Sequence, residues 1–314
     1  MVRLTPGTNA TVKSRNLRMV MEKSFSSIGI VGFKDKSADL ACALKQITSW
    51  ALEHPQVKFY ALDSLKELVK KPIRVVKESA LQKTDLLLAI GGDGTVLTAA
   101  HMALGHNIPI LGVNAGRVGF LAESRVEGLT KTLDSLLAGD FSTRERMMIE
   151  AAVYHGRKCI AKQTVLNEVH VRAHAPERMV NVNVAYNDTC LTEYWADSIL
   201  VSTPTGSTAY NLAAGGPIIH PSTPAVVLTP VAPSSLSVRP LVLSLTDKKL
   251  RMASAVNCSL DLVFDGRITL EMKPDEYVML SESKLVTTFI RMRHTGFVGA
   301  LREKLGWTGK PRSA

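Results

Sequence analysis

The chain has 314 residues, of which 46% are hydrophobic and 21% charged, a composition typical of globular proteins and unlike that of disordered or fibrous ones. Its length exceeds that of one ordinary domain, so we expect two domains with a cleft between them. No apolar run has the roughly 18 residues of a membrane-spanning helix, and the N-terminus does not match a signal peptide, which predicts a cytoplasmic protein.

The net charge of +10 is concentrated at the two ends of the chain. Residues 1–23 contain five Lys and Arg against one Glu, and residues 291–314 contain six against one. Aromatic residues are not interleaved with these charges, as single-strand nucleic-acid binding would require. We therefore predict a disordered basic extension over residues 1–24, and we expect partners to include neither nucleic acid nor membrane.

The first half of the chain alternates strand-like and helix-like segments. Short apolar runs at 27–31, 85–90 and 108–113 end at or near a glycine, and residues 40–52 carry apolar side chains at helical spacing. This alternation predicts an open parallel sheet covered by helices. We assign residues 25–146 to this α/β domain.

The second half is rich in β-branched residues, and apolar and polar residues alternate along it, as in antiparallel strands. Residues 180–186 are one such segment, followed by a predicted turn at Asn187-Asp188. We assign residues 147–296 to a mostly antiparallel all-β domain. Residues 297–314 are predicted to form a C-terminal helix that closes at Gly306, and a tail.

A glycine-rich loop, Gly91-Gly92-Asp93-Gly94-Thr95, connects an apolar strand to a helix-like segment. Ligands bind at the carboxyl edge of parallel strands, and glycines there let backbone N–H groups approach phosphates. We predict that Gly91, Gly92, Gly94 and Thr95 bind phosphate and that Asp93 meets a hydroxyl proton or a metal ion. The alternative is a tight turn in which Asp93 or Thr95 caps the helix.

Two further segments combine polar residues in unusual density. Ser202 to Tyr210, followed by Gly215-Gly216-Pro217, is rich in hydroxyl groups and suits a nucleotide pocket better than a core, although it could simply cap a helix. Asn167-Glu168 lies inside a β-like run, where an acid and an amide can hold a ribose diol or simply form a surface pair. The histidines lack metal-ligand spacing and are interpreted as ordinary surface or core residues.

Taken together, these segments resemble the NAD kinase family from about Ser27 to Trp307. The segment Val231 to Pro240 is also similar to the family. The Gly-Gly-Asp-Gly loop is shared with diacylglycerol kinases, sphingosine kinases and phosphofructokinases, whereas the other segments are more specific. The resemblance implies a first domain of the phosphofructokinase and diacylglycerol kinase type.

The resemblance also implies the reaction and its residues. ATP would donate its γ-phosphoryl group to the 2′-hydroxyl of the adenosine ribose of NAD, giving NADP, with Asp93 as proton acceptor. The residues implied to bind NAD are Asp93, Gly94, Asn167, Glu168, Arg178, Trp195, Asp197, Thr205, Thr208, Ala209, Tyr210, Asn211 and Arg267. A homodimer or homotetramer is implied, in which neighbouring subunits complete the NAD site.

Several positions depart from the family pattern. Ser198 replaces the usual glycine after Asp197, Trp195 stands where a basic residue is common, and Arg267 replaces a common glutamine. These changes leave the preference between NAD and NADH open, and the sequence does not decide between ATP and polyphosphate as donor.

Phosphoryl transfer requires in-line positioning and neutralisation of the developing charge. Because the loop lacks a P-loop lysine, we predict Mg²⁺ or another divalent ion as cofactor, with help from the loop N–H groups and from Arg117. Two other interpretations remain open. A lipid or sphingoid-base kinase would share the glycine-rich loop, and a non-catalytic nucleotide sensor would bind without turnover.

Overall fold

The computed structural model describes residues 25–33, 38–116, 119–175, 178–292 and 296–307, which contain twenty strands and six α-helices. The helices are α1 (Ala38–Glu53), α2 (Glu78–Leu81), α3 (Asp93–Ala103), α4 (Leu129–Leu137), α5 (Tyr210–Ala213) and α6 (Phe297–Leu305). The strands of the first half are β1 (Ser27–Val31), β2 (Lys58–Leu62), β3 (Arg74–Val76), β4 (Leu86–Gly91), β5 (Ile110–Asn114), β6 (Ser124–Arg125) and β7 (Ser142–Arg146).

The remaining strands follow in chain order. They are β8 (Ile149–His155), β9 (Lys158–Val165), β10 (Glu168–Ala173), β11 (Val180–Tyr186), β12 (Thr189–Ala196), β13 (Ser198–Ser202), β14 (Val226–Val231), β15 (Leu241–Leu243), β16 (Lys249–Ser254), β17 (Leu260–Phe264), β18 (Ile268–Met272), β19 (Glu276–Glu282) and β20 (Thr287–Arg291).

The first sheet is mostly parallel, with the order β3-β2-β1-β4-β5-β20-β7 and β6 paired to β5. Its central strand β4 reads Leu-Leu-Leu-Ala-Ile before the glycine, and all five of these residues are buried because helices cover both faces. Helix α1 packs Leu44 and Ile47 on one side, and α3 packs Val96 and Ala99 on the other. The predicted open parallel α/β sheet is confirmed.

The second half forms two six-stranded antiparallel sheets, with the orders β15-β14-β13-β10-β17-β18 and β12-β11-β16-β19-β8-β9. They share one core, to which β11 contributes Val180, Val182 and Val184. The connection from β11 to β12 runs through Asn187 and Asp188 with φ of 50° and 68°, the positive values that a tight hairpin turn requires. The predicted all-β domain is therefore confirmed.

One boundary differs from the prediction, which placed all of residues 147–296 in the β domain. Strand β20 leaves that domain and enters the first sheet, parallel to β5 and antiparallel to β7. Its buried Phe289 packs beside α3, and its buried Ile290 packs with α1 and α4. The strand reads Thr-Thr-Phe-Ile-Arg, a short run that is compatible with either sheet, so the local pattern could not show which sheet it joins.

Helix α6 follows β20 and returns toward the β domain. Phe297 contacts the ring of His220 edge-on, with the ring centroids 5.1 Å apart, and Leu301 is buried. The helix ends at Gly306, whose φ of 67° is the left-handed value favoured at a helix C-terminus. Within the described ranges, no helix is long and apolar enough to cross a membrane.

Candidate active site

The glycine-rich loop leaves β4 at the carboxyl edge of the first sheet and starts α3. A Cβ at Gly91, where φ is 155°, would lie 2.3 Å from Thr95 Oγ1, so the turn requires glycine there. Gly92 and Gly94 are exposed, and the space where their Cβ atoms would stand is open. The backbone of this loop can therefore be approached closely from outside, as a phosphate-binding loop requires.

Asp93 is the first residue of α3 and is held by the segment after β5. Its Oδ2 accepts the N–H of Phe120 at 2.8 Å, and its Oδ1 accepts the N–H of Leu121 at 3.0 Å. A Cβ at Gly119 would lie 2.0 Å from Asp93 Oδ1, so only glycine fits beside the carboxylate. Gly92 occupies the N-cap position and Asp93 makes no capping hydrogen bond, so the capping alternative does not describe this residue.

Asn167 and Glu168 lie where β9 passes into β10, and both are buried. Asp265, in the turn between β17 and β18, accepts the N–H groups of Leu166, Asn167 and Glu168 at 2.7 to 3.0 Å. The same carboxylate bonds His101 Nε2, in α3, at 2.8 Å. Asp265 thus ties this segment to the helix that begins with Asp93.

Sequence reasoning missed Asp265 and interpreted His101 as ordinary. The local signal was an Asp-Gly turn between two strands, and Asp265 adopts a φ of 50° there. The contact between Asp265 and His101 joins residues 164 positions apart, so no local pattern could indicate it.

Several polar atoms around Asn167 and Glu168 are buried without a hydrogen-bond partner among the described residues. They are Asn167 Oδ1, Glu168 Oε2, His170 Nε2 and Ser202 Oγ. Glu168 and Ser202 are directly opposed in the pairing of β10 with β13. Because buried polar groups are normally paired, such a cluster indicates a ligand that supplies the missing partners.

The charge state of this cluster follows from its burial. Burial, with a smaller contribution from Asp265, raises the pKa of Glu168 to about 8. Burial, together with Arg172, lowers the pKa of His170 to about 4. At neutral pH both groups are therefore mainly uncharged, and each can both donate and accept a hydrogen bond, as the hydroxyl groups of a ribose require.

The hydroxyl-rich loop packs directly on the Asn167 segment. A Cβ at Gly206 would lie 2.1 Å from the carbonyl oxygen of Asn167, so the two backbones touch there. Thr205 is buried and Thr208 is partly buried. Tyr210 is 42% exposed, and its ring meets His170 edge-on at a centroid distance of 5.3 Å. The structure therefore brings the predicted residues 167–168 and 205–210, including Ala209, into one cluster.

Asn211 differs from its neighbours because its side chain is fully buried and both of its polar atoms form hydrogen bonds within the protein. Its Nδ2 donates to the carbonyl oxygens of Ser207 and Pro217, and its Oδ1 accepts from Thr229 at 2.6 Å. A Cβ at Gly216 would lie 2.0 Å from Asn211 Oδ1. Asn211 stabilises the loop, and its contact with NAD stays a prediction.

Four other predicted NAD-binding residues are exposed and their described contacts lie elsewhere. Arg178 donates to Cys258 Sγ at 3.6 Å, and Trp195 Nε1 donates to Glu193 at 2.9 Å. Asp197 and Arg267 use their N–H groups to bond the carbonyl oxygens of Val231 and Phe264. No described side-chain contact joins these four residues to the cluster, and Arg117 lies outside the described residues.

A cavity of about 1230 Å³ connects the two domains. Its walls include Gly119 to Leu121, which hold Asp93, as well as Thr205, Thr208 and residues of β7, β20 and α6. Small-molecule pockets typically measure roughly 300 to 1,000 Å³, so this cavity has room for two substrates side by side. Arg144, Arg146 and Arg291 line it together with Glu145, so this wall carries an excess of positive charge, which suits phosphate groups.

This fold and site define the protein as a two-domain nucleotide-binding phosphotransferase, with an acid held at a glycine-rich loop beside a basic cavity. Comparisons with known proteins then give the family. The ATP-NAD kinase N-terminal domain matches residues 7–141, and the ATP-NAD kinase C-terminal domain matches residues 166–292. The chain belongs to the NAD kinase family.

Similar proteins agree with this assignment. An NAD kinase from Desulfatibacillum aliphaticivorans is 36% identical over 85% of this chain and 99% of its own length. An NAD kinase from Heliobacterium modesticaldum is 36% identical over 89% of this chain and 98% of its own length. The resemblance inferred from the sequence is therefore confirmed.

Solved structures share the fold. A yeast NADH kinase complexed with NADH has a TM-score of 0.80 at 22% identity, covering 93% of this chain and 91% of its own. An NAD kinase from Archaeoglobus fulgidus in complex with ATP has a TM-score of 0.68 at 21% identity, covering 89% and 97%.

Proposed function

We propose that the protein transfers the γ-phosphoryl group of ATP to the 2′-hydroxyl of the adenosine ribose of NAD, giving NADP. The observation that carries this proposal is the cavity, which is lined both by the loop that holds Asp93 and by Thr205 and Thr208. NAD would lie along the Asn167–Glu168 and Thr205–Tyr210 cluster, and ATP along the basic wall. The lipid-kinase and sensor alternatives gain no support from the family.

Asp93 would orient the acceptor hydroxyl and receive its proton. Each carboxylate oxygen already accepts one backbone N–H, and its second lone pair is available for the hydroxyl. In a loose phosphoryl-transfer transition state the proton can leave late, so the main contribution of Asp93 is the position of the nucleophile.

A divalent ion such as Mg²⁺ would bind with ATP. Mg²⁺ in nucleotide sites is usually held by one or two carboxylates together with substrate phosphates and water. Asp93 is held beside the cavity by Gly119 to Leu121, and Glu123 lines the cavity itself, so the residues present fit such an ion. When bound, the ion would neutralise charge on the phosphate oxygens.

Arg178, Trp195 and Asp197 are not among the described residues that line the cavity. We propose that they contact the NAD site of a second subunit. A homodimer or homotetramer would bring these exposed residues from one copy to the NAD site of another. Light scattering after gel filtration measures the mass directly, and a monomer that is fully active would contradict this proposal. We also expect the activity to be cytoplasmic.

The test of the function is a coupled assay with the purified protein. NAD or NADH, ATP or polyphosphate, and Mg²⁺ are supplied, and an NADP-specific dehydrogenase detects the product. We expect NADP from NAD and ATP. If only a sphingoid base or diacylglycerol is phosphorylated, or if NAD binds without turnover, the proposal is wrong.

The variant Asp93→Asn tests the catalytic acid. We expect kcat to fall about 10² to 10⁴-fold, the usual range for a general base, with NAD affinity nearly unchanged. Asn also replaces one accepting oxygen by a donor, so some loss of stability is expected. The matched control is Asp85→Asn, because Asp85 also accepts backbone N–H groups, from Ser26 and Ser27, in the same domain. Equal kcat in the two variants would remove Asp93 from the mechanism.

A further inference from the structure

The glycine-rich loop provides backbone N–H groups but no cation. Negative charge on the phosphoryl oxygens must be neutralised as the group moves between two oxygens, and a lysine commonly contributes in other phosphotransferases. Gly91 to Thr95 contains no Lys or Arg. Any side-chain cation that acts beside Asp93, in addition to an ion bound with ATP, therefore comes from another segment of the chain.

Lys304, in the last turn of α6, lies at the cavity near the residues that hold Asp93. Its Nζ lies 4.3 Å from the centroid of the Phe120 ring, and the N–H of Phe120 donates to Asp93 Oδ2 at 2.8 Å. Lys304 and Phe120 both line the cavity. Phe120 therefore contacts both groups: its ring contacts the Lys304 ammonium group, and its N–H donates to the Asp93 carboxylate.

The rest of α6 fixes the ammonium group. Leu301 is buried, Phe297 packs on His220, and Glu303 forms an ion pair with Arg125. Among the described residues, no carboxylate forms an ion pair with Lys304, although Asp93 and Glu123 act on it electrostatically. The ammonium group is thus held at the cavity with its hydrogen-bond donors available to an anion.

We propose that Lys304 is a catalytic residue whose ammonium group binds the oxygens of the transferred phosphoryl group beside Asp93. This inference rests on the proposed function. The acceptor 2′-oxygen forms a bond to the γ-phosphorus while the bond from that phosphorus to the β–γ bridging oxygen breaks. The bridging oxygen keeps the electron pair and leaves with ADP, and the hydroxyl proton passes to Asp93 and then to water. Lys304 neither gives nor takes a proton.

The ammonium group also gives the reaction a pH limit. Burial lowers the pKa of Lys304 to about 8, although Asp93 and Glu123 act in the opposite direction. Besides these two acids, the described charged residues that line the same cavity are Arg125 and Glu303, which form an ion pair with each other, and Arg144, Glu145, Arg146 and Arg291 of β7 and β20. In the ligand-free protein Lys304 is then mainly charged at pH 7 and mainly neutral at pH 9, so kcat/KM for Mg²⁺-ATP, measured at saturating NAD, should fall as the pH rises through about 8.

Three variants test the proposal. Lys304→Met should lower kcat about 10² to 10³-fold, as loss of a transition-state donor does, with the KM for NAD changed less than twofold. Lys304→Arg should recover at least tenfold of that loss and should abolish the fall above pH 8, because Arg stays charged. Arg302→Met is the matched control, since it removes one exposed charge from the same helix and should leave kcat unchanged.

A readout without turnover separates this proposal from the proposed function. Calorimetry with Mg²⁺-ATP should show at least tenfold weaker binding to Lys304→Met than to the wild type, whatever the acceptor is. Equal ATP affinity, or kcat within twofold of the wild type, would overturn the role of Lys304. If Lys304→Met does not fold, the pH profile of Lys304→Arg decides, and an unchanged fall above pH 8 overturns the proposal. Failure of the wild type to form NADP would instead contradict the proposed function.

Discussion

At Tyr210, a half-exposed aromatic ring stands at the entrance to the buried polar cluster. His170 supports it edge-on at 5.3 Å, so the ring is held in one orientation without being covered. An aromatic face presented in this way suits the stacking of an adenine base. The contact would be the same before and during phosphoryl transfer.

We therefore expect Tyr210→Ala to raise the KM for NAD by about tenfold while changing kcat by less than threefold, because uniform binding affects only KM. Steady-state kinetics at saturating ATP measures both constants. Tyr210→Phe is the control and should behave like the wild type. An unchanged KM for NAD in the alanine variant would place the adenine elsewhere.

Glu168 makes the stability of the protein depend on pH. Its pKa is about 8 in the folded protein, because burial disfavours the carboxylate, and near 4.5 when unfolded. The folded state therefore holds a proton that the unfolded state has lost between these two pH values. The stability associated with this group is fully present below about pH 4.5 and is lost as the pH rises through about 8.

Glu168→Gln, which cannot ionise, should be more stable than the wild type at pH 8.5 by on the order of 2 to 4 kcal/mol and nearly equal to it at pH 5. Urea unfolding of the ligand-free protein at the two pH values measures the difference. The control is Glu150→Gln, because Glu150 pairs with Lys162 at the surface, and such pairs contribute little. A constant difference between the two pH values would contradict the assigned burial effect.

The turn from β17 to β18 connects the two domains. Through Asp265 it bonds three consecutive N–H groups before and at the start of β10, and through His101 it bonds α3. A strand end of the β domain and a helix of the α/β domain are thus fixed to the same carboxylate. Relative movement of the two domains is restricted there.

We expect Asp265→Asn to lower the free energy of unfolding by about 2 to 4 kcal/mol, because buried N–H groups and His101 lose a charged acceptor. Asn tolerates the positive φ of 50° at this position, so backbone strain stays constant. The control is Asp261→Asn, because Asp261 is also a buried acid but its side-chain partners Arg172 and His174 are half exposed and can be solvated when the charge is lost, so its loss should be smaller than that of Asp265→Asn. Similar losses in both variants would mean that Asp265 does not link the domains.

Periodicity and motif chemistry predict the fold class of both halves of the chain and several individual elements. The runs at 27–31 and 180–186 form β1 and β11, and the glycine-rich loop lies between β4 and α3 as expected. These predictions succeed because a buried strand, a helix start and a tight turn each have a local signature. Contacts between distant segments have no local signature. The sequence therefore could not predict that β20 joins the first sheet, that Asp265 bonds His101 or that Lys304 lies over the Phe120 ring.

Across the whole molecule, the described site residues lie between 91 and 304, outside the terminal segments 1–23 and 309–314. We expect removal of residues 1–23 and 309–314 to leave kcat within twofold of the wild type, because these charged segments lack strand or helix periodicity. The comparison is a chain ending at 296, which removes α6 with Leu301 and Lys304 and should lose activity. Kinetics on folded protein, checked by circular dichroism, measures both. A strong loss in the first truncation would show that an end completes the site.

Strand β7 has a single partner in the first sheet, and that partner is β20. During synthesis, the ribosome must therefore make the entire β domain before β7 can pair and the α/β sheet can be completed. The N-terminal half emerges from the ribosome early, but strand β5 keeps part of its edge unpaired until β20 has been made. Chaperones bind, and aggregation starts, at such unpaired edges of nascent chains. The two domains cannot mature as independent units, and a gene fragment that encodes only residues 25–146 specifies a sheet without its penultimate strand.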